Sequence, residues 1–355
     1  MASRPRIRVE PFKPAPVRLP GELEPRRLRR RAAQVIGLLA ALVLVALLAP
    51  GLGEVRDRLG HARPGWLALG VALEALSCAS YVLMFRPIFC RRMSRRSSVE
   101  IGLSELAVGS IVPASGAGGL ALGAWVLRQG GMPDAKIARR SVAFFLIKSG
   151  VNFVTVAVLG LVMAVGVVGP HQPLWLTAVP AGLSLMVIGA VLALPRIGPG
   201  APAERDAARV RRAIAATRRA VVGGTAEAGA ILRAGDPLVL VGSLGYWAFD
   251  NAVLWATYHA FGTPPALSIV LMGYLIGQLG GLLPIPGGVG GIDGGLIGTL
   301  IVFGAPAATT AAAVLAYRVI LFWLPLIVGA FAFTSLRRGL NRPDRPDLCP
   351  APVPA

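Results

Sequence analysis

Read from its N-terminus, the chain alternates long uncharged apolar runs with short clusters of arginine. About 20 apolar residues in a helix span a bilayer core of ~30 Å, so such runs predict membrane-crossing helices. Six full spans are expected, at about 33–50, 65–88, 141–167, 174–195, 237–261 and 307–335. Two further apolar stretches, about 99–130 and 266–303, are broken midway. The first break holds Pro113, Gly116, Gly118 and Gly119; the second holds Pro284, Pro286, Gly287, Gly288, Gly290 and Gly291. The arms of the first have roughly a dozen residues, or ~18 Å as helix, too short to cross. A re-entrant hairpin is therefore predicted. The second has longer arms, and full crossings stay open there. Broken backbone is tolerated at membrane depth only when buried in protein or lining a cavity.

Charge fixes the orientation of these elements. Arginines cluster at 26–31, 91–96, 128–140, 196–235 and 337–338, whereas the connectors 169–173, 262–265 and 304–306 carry none. The positive-inside rule places the clusters in the cytoplasm and the bare connectors outside. Span two, hairpin one and span three then start and end outside; span five, hairpin two and span six start and end inside. The fold class predicted is an all-α polytopic membrane protein of about six full transmembrane helices plus two Gly/Pro-broken hairpins, arranged as an inverted repeat, a layout typical of secondary transporters.

Composition supports that picture. Of 355 residues 55% are hydrophobic, and mean hydropathy is +0.66. The net charge of +19 lies between the spans rather than on a groove-binding face, which argues against nucleic acid as a partner. The Arg-, Ala-, Gly- and Pro-rich composition suggests a GC-rich genome; the location expected is a bacterial plasma membrane, with both termini cytoplasmic by the arginine clusters. Residues 1–31 read as a disordered basic arm, 32–336 as the membrane domain and 337–355 as a Pro-rich tail. Within 196–235 an amphipathic helix is expected, with Val210, Ile214, Thr217 and Val221 on one face, against the cytoplasmic membrane surface or as a solvated linker. Cys78, Cys90 and Cys349 are too scattered for a metal site or a disulfide framework. Nucleotide, cofactor and catalytic-triad motifs are not found, so no enzyme activity, metal or cofactor is expected.

Ionisable groups inside spans are costly and face a cavity or a partner. Here they are Glu74, Glu105, Lys148, Asp250, His259, Asp293 and Arg318, with Asn152, Asn251, Tyr274, Gln278 and Tyr317 as neutral polar groups. Asp293 follows the Gly290-Gly291 turn, where a carboxylate suits a helix N-terminus. Arg318 in the last span has a donor fork that suits a phosphate or carboxylate. The two readings of this pair are a lipid phosphate site and an ion pair locking the hairpin to span six. Lys148 matches Arg318 by position in the repeat, and Glu105 is its expected partner. Lys148 and Arg318 together would face one anionic headgroup. Asp250-Asn251 would relay protons or bind a sugar or amine headgroup. Glu74 has no partner that sequence identifies, and His259 reads as interfacial.

Pro286-Gly287-Gly288-Val-Gly290-Gly291-Ile-Asp293, Gly304-Ala-Pro306 and Tyr317-Arg318-Val-Ile-Leu-Phe322-Trp323-Leu-Pro325 resemble the lysylphosphatidylglycerol synthase transmembrane, flippase-like family. The resemblance covers roughly 33–335; Asp293 stands where the family usually has Glu. It implies translocation of a lipid, glycolipid or polyprenyl phosphate, without the C-terminal aminoacyltransferase domain that makes aminoacylated lipid. The substrate-binding residues expected are Arg318, Asp293, Lys148, Glu105, Asp250, Asn251, Tyr317 and Gln278. Membrane lipid is the expected substrate. The alternatives are a non-transporting scaffold for a lipid- or glycan-modifying enzyme partner and a small-solute transporter.

Overall fold

The computed structural model describes residues 24–48, 53–111, 117–198, 200, 208–278, 290–341 and 348–349. Among these the chain forms twelve helices and no strand. They are α1 (Pro25–Leu48), α2 (Gly53–Gly60), α3 (Pro64–Phe89), α4 (Arg95–Ile111), α5 (Ala117–Gln129), α6 (Asp134–Ala164), α7 (Leu174–Ile197), α8 (Arg209–Arg233), α9 (Pro237–Phe261), α10 (Leu267–Gly277), α11 (Gly291–Val302) and α12 (Ala307–Leu340).

Among the described residues, five helices, α3, α6, α7, α9 and α12, are long and apolar enough to cross a membrane. The first expected span falls in α1, whose apolar stretch starts at Ala32 and runs to the edge of the described residues at Leu48. One boundary is corrected. The arginine cluster 26–31, expected in a disordered arm, is the first part of α1. Arginine is a good helix former, and a helix already nucleated by an apolar segment propagates cheaply into it.

The lipid-facing character of the spans shows in what they leave uncovered. On α7, Val179, Leu183 and Met186 are 54%, 56% and 69% exposed. Apolar side chains that open to the outside need hydrocarbon around them.

The helices flanking the two breaks pack as pairs, α4 with α5 and α10 with α11. In the second pair Gly277 lies opposite Leu296 and Gly273 opposite Leu300, so the two helices run antiparallel. A Cβ on Gly295 would sit 2.8 Å from the Gly277 carbonyl oxygen, and this contact sets how closely the helices approach. Whether the arms of the second pair are longer turns on residues 279–289, which lie outside the described residues. With 11 and 12 residues, α10 and α11 reach ~16 and ~18 Å, well short of a bilayer core. Helix α11 is entered through Gly290, which adopts φ +86°, a conformation glycine alone enters freely. Pro113, Gly116, Pro284, Pro286, Gly287 and Gly288 lie outside the described residues; Gly118, Gly119, Gly290 and Gly291 lie at the helix starts beside them.

Helices α3 and α9, the first spans of the two halves, form the most extensive contact in the bundle. They are antiparallel: Arg63 N donates to Ala260 O at 2.9 Å, and Ser77 Oγ to Tyr246 O at 3.4 Å. Opposite directions for corresponding helices are what an inverted repeat requires. Helix α4 lies along α12, where Ser335 Oγ donates to Glu100 Oε1 at 2.7 Å.

Among the described residues two large apolar cores result, beside a small cluster of Val35, Leu39 and Phe322 where α1 meets α12. One gathers around α10 and α11 with the outer halves of α3, α9 and α12, including Tyr258, Met272, Leu296 and Leu300. The other gathers around α4 and α5 with the opposite ends of α3, α9 and α12, including Phe85, Ile101, Leu122 and Phe144. Buried polar residues on the α3–α9 crossing separate them: Glu74, Ser77, Ser243, Asp250 and Asn251.

At the basic end the expected helix in 196–235 forms as α8, and one expectation, the scattered cysteines, is corrected. Val222, Gly224, Thr225 and Ala228 are the buried side of α8, packed on α6, with Glu227 paired to Arg140. Val210 and Ile214 on the expected apolar face are 69% and 62% exposed. The glycines at 223 and 224 let α6 approach the second half of the helix, while the apolar stripe of the first half is left uncovered by the bundle. Cys90 and Cys349, 259 residues apart, form a disulfide. Sequence spacing does not see this pairing because the bundle brings the tail back beside the α3–α4 turn, where Leu348 packs over Gly130.

Candidate functional site

The polar layer between the two cores contains most of the ionisable residues singled out from the sequence. In the second half, Asp293 sits in the first turn of α11. Its Oδ2 accepts the Gly290 N–H at 2.8 Å, and its Oδ1 lies 3.2 Å from Arg318 Nε on α12. The Asp293 side chain is 3% exposed and that of Arg318 is 12%. The pair is an ion pair rather than an aligned hydrogen bond at Nε. The short carboxylate thus reaches the helix cap and the cation together.

The first half solves the same problem differently. Glu105 on α4 is 2% exposed and accepts a hydrogen bond from Tyr81 Oη on α3 at 2.7 Å. Its carboxyl fits against α5 where Gly123 presents no side chain; a Cβ there would overlap it. Lys148 on α6 holds its ammonium over the rings of Tyr81 and Tyr246, 5.8 and 5.5 Å from their centres. It feels the charges of both Glu105 and Asp250. Lys148 and Glu105 are therefore neighbours joined through Tyr81, not a direct ion pair among the described residues.

Asp250, midway along α9, is where the two halves meet. It accepts from Tyr274 Oη on α10 and from Tyr317 Oη on α12, the latter at 3.3 Å. Lys148 and Arg318 both act on it electrostatically. Across the crossing stands Glu74 on α3, within electrostatic range of Asp250. The Cys78 thiol donates to Glu74 Oε1 at 3.5 Å.

The remaining candidates are less central. Asn251 donates to Trp247 O of its own helix at 2.8 Å. Gln278 closes α10 at the edge of the described residues, half-buried. His259 stacks on Trp66 at 4.3 Å near the end of α9, as an interfacial histidine would.

Sequence reasoning missed Tyr81 and Tyr246, noted Tyr274 as a polar group inside a span without placing it in the site, and left Glu74 outside it. One signal was available. Tyrosines of membrane proteins favour the interfaces, yet all five in the chain fall inside apolar helices; Tyr258 lies toward the end of α9 and bonds Thr310, and the other four are Tyr81, Tyr246, Tyr274 and Tyr317. A phenol placed there needs a partner, and three of these four hydrogen-bond a carboxylate.

Beside Asp293 an apolar groove of about 440 Å³ opens between α7 and α11. Trp175, Val179 and Pro180 line one wall and Gly294, Gly298 and Val302 the other.

Fold and site together define a polytopic helical membrane protein with a buried charge layer between two inverted halves. The chain belongs to the family described as the lysylphosphatidylglycerol synthase TM region, whose model matches residues 34–329. Curated relatives from Methanothermobacter thermautotrophicus, each described as a UPF0104 membrane protein, are similar to it. Two match at 24% and 28% identity over 84% and 85% of this chain and 93% of their own length. A third match is 31% identical over 29% of this chain and 30% of the relative. These relatives are archaeal, so the likeness reaches beyond the bacteria that the composition suggested.

Proposed function

We propose that this protein moves a lipid with a charged headgroup between the leaflets of a prokaryotic plasma membrane, with both termini on the cytoplasmic side. The observation that carries this reading is the convergence of both halves' charges on Asp250, between two pairs of short helices, with an apolar groove next to Asp293 on α11. A headgroup needs a polar passage through the bilayer core, and its chains need an apolar surface open to hydrocarbon. The charge layer offers the first and the α7–α11 groove the second. The family match supports a lipid-related role, and its membrane region is the non-catalytic part of the synthase, so transport is read here without a chemical step. The cations fit a phosphate and the carboxylates fit an amine, so anionic phospholipid, aminoacylated phospholipid and polyprenyl phosphate are the substrates to try.

The experiment is reconstitution in vesicles with fluorescent or aminoacylated phospholipid, followed by a membrane-impermeant quencher or amine reagent. Wild-type protein should expose probe from both leaflets, and Arg318→Ala and Asp293→Ala should slow it. Unchanged transfer in both variants overturns the assigned site. Failure to move any of the lipid classes overturns the function.

One observation favours a second reading, a scaffold that recruits a lipid-modifying enzyme. The first half of α8 presents Arg209, Arg211 and Arg212 outward next to exposed Val210 and Ile214. Neutralising Arg211, Arg212, Arg218 and Arg219 should then abolish capture of a stoichiometric enzyme partner without altering lipid movement.

A further inference from the structure

The charges of the buried layer do not balance. Glu74, Glu105, Asp250 and Asp293 are all buried there, while the cations facing them are Lys148 and Arg318. Asp293 has Arg318 at 3.2 Å, and Glu105 has the Tyr81 hydroxyl at 2.7 Å with Lys148 behind it. Asp250 has the hydroxyls of Tyr274 and Tyr317. Glu74 is 5% exposed and, among the described residues, has the Cys78 thiol on one oxygen as its hydrogen-bond donor. Its Oε2 is buried with no hydrogen-bond partner among the described residues.

The position of Glu74 makes this more than a local defect. It is buried on α3 where that helix crosses α9, the helix that carries buried Asp250, in the layer that separates the two large apolar cores. Asn251 Oδ1, one residue beyond Asp250, is a second buried acceptor with no partner among the described residues. A carboxylate in a water-poor interior, beside another carboxylate, requires a positive counterpart. The groups around it supply none directly. Helix α3 offers Cys78 and Tyr81, α9 offers Tyr246, α10 offers Tyr274, and α12 offers Tyr317 with Arg318, which is paired to Asp293. Lys148 on α6 stands over the tyrosine rings, between Asp250 and Glu105.

We propose that Glu74 and Asp250 form a proton-exchange site at the centre of the bundle. The proton rides on the Glu74 carboxyl, while Asp250 stays bound to Tyr274 and Tyr317. Taking up the proton removes one negative charge from the layer and giving it up restores that charge. The layer would thus admit a headgroup in two charge states, and the membrane proton gradient would bias which half holds it. Only that last use rests on the lipid reading; the proton site does not.

Dicyclohexylcarbodiimide tests the site without any lipid assay, because it adds to protonated carboxyls in apolar surroundings. The purified full-length protein in detergent is treated across a range of pH and its peptides are mapped by mass spectrometry. The expected result is an N-acylurea adduct on Glu74 that falls about tenfold for each pH unit above its midpoint. Glu74→Gln should lose the adduct, and Asp250→Asn should change the pH at which labelling is lost. The wild-type peptide map needs no variant to fold, so the test survives instability of either. Labelling on Glu105 or Asp293 instead of Glu74, labelling independent of pH, or labelling blocked by sodium at constant pH overturns the proposal. Since no lipid movement is measured, failure here is distinct from failure of the transport reading.

Discussion

The fit of Glu105 against Gly123 predicts a large effect from a single methyl group. In Gly123→Ala the new Cβ would lie 2.6 Å from Glu105 Cδ and overlap Oε1, so either α5 moves away from α4 or the carboxyl swings out. Overpacking of a filled interior costs ~1–3 kcal/mol. Displacing the carboxyl also breaks its hydrogen bond with Tyr81, and bonds to charged groups are worth ~1.5–3 kcal/mol. Alanine regains up to ~1 kcal/mol of helix propensity over glycine. The net loss should be ~2–4 kcal/mol. Gly189→Ala on α7 is the control, because nothing lies within 4 Å of the added atom.

The assay is unfolding in mixed micelles by graded SDS, followed by tryptophan fluorescence, for Gly123→Ala, Glu105→Ala and the double variant. Glu105→Ala removes the atoms that clash, so Gly123→Ala should cost little in that background. A coupling energy of ~1–3 kcal/mol is expected for residues in such contact. The reasoning is refuted if Gly123→Ala behaves like Gly189→Ala, or if the two losses simply add.

Other consequences can be checked on the same preparation. Asp293→Ala or Arg318→Ala strands a buried charge and should each cost ~3–5 kcal/mol, with the double variant losing less than the sum in an SDS-unfolding cycle. Tyr274→Phe removes a donor to Asp250 and should cost ~1.5–3 kcal/mol, whereas Tyr258→Phe removes a neutral bond to Thr310 and should cost ~0.5–1.5 kcal/mol. Folded protein purified without reductant should not react with maleimide, since Cys78 is buried and Cys90 and Cys349 are joined. After reduction and unfolding all three cysteines should react; labelling of Cys349 before reduction would contradict the pairing.

Much of the bundle was legible because hydropathy and charge act along the sequence. The spans at α3, α6, α7, α9 and α12 follow from uninterrupted apolar length, and the Asp293–Arg318 pair follows from a motif that places a carboxylate at a helix start. What was not legible depends on packing. The apolar run from 266 onward gives no sign that α10 stops after 11 residues. Glu105 and Lys148 were expected as partners, but among the described residues no direct ion pair joins them; each meets Tyr81, contributed by a third helix. Periodicity of α8 marked Val210 and Ile214, while the glycines at 223 and 224, which carry no hydrophobic signal, chose the docked face.

Asp250 is the residue whose role changes most once the helices are assembled. Alone in α9 it is an acidic group in an apolar span with no assigned partner. In the bundle it binds α10 and α12 through two tyrosines and faces α3 through Glu74. Helix α9 is itself held to α3 along its length, and α12 is held to α4. Any motion that opens one half relative to the other must therefore either carry these helices together or release the tyrosines from Asp250. The second route is the cheaper one if the released carboxylate finds a substrate amine or a proton at once, because an unpaired carboxylate at that depth is strongly disfavoured. A headgroup that replaces the phenols would then be the trigger for the conformational change rather than its passenger.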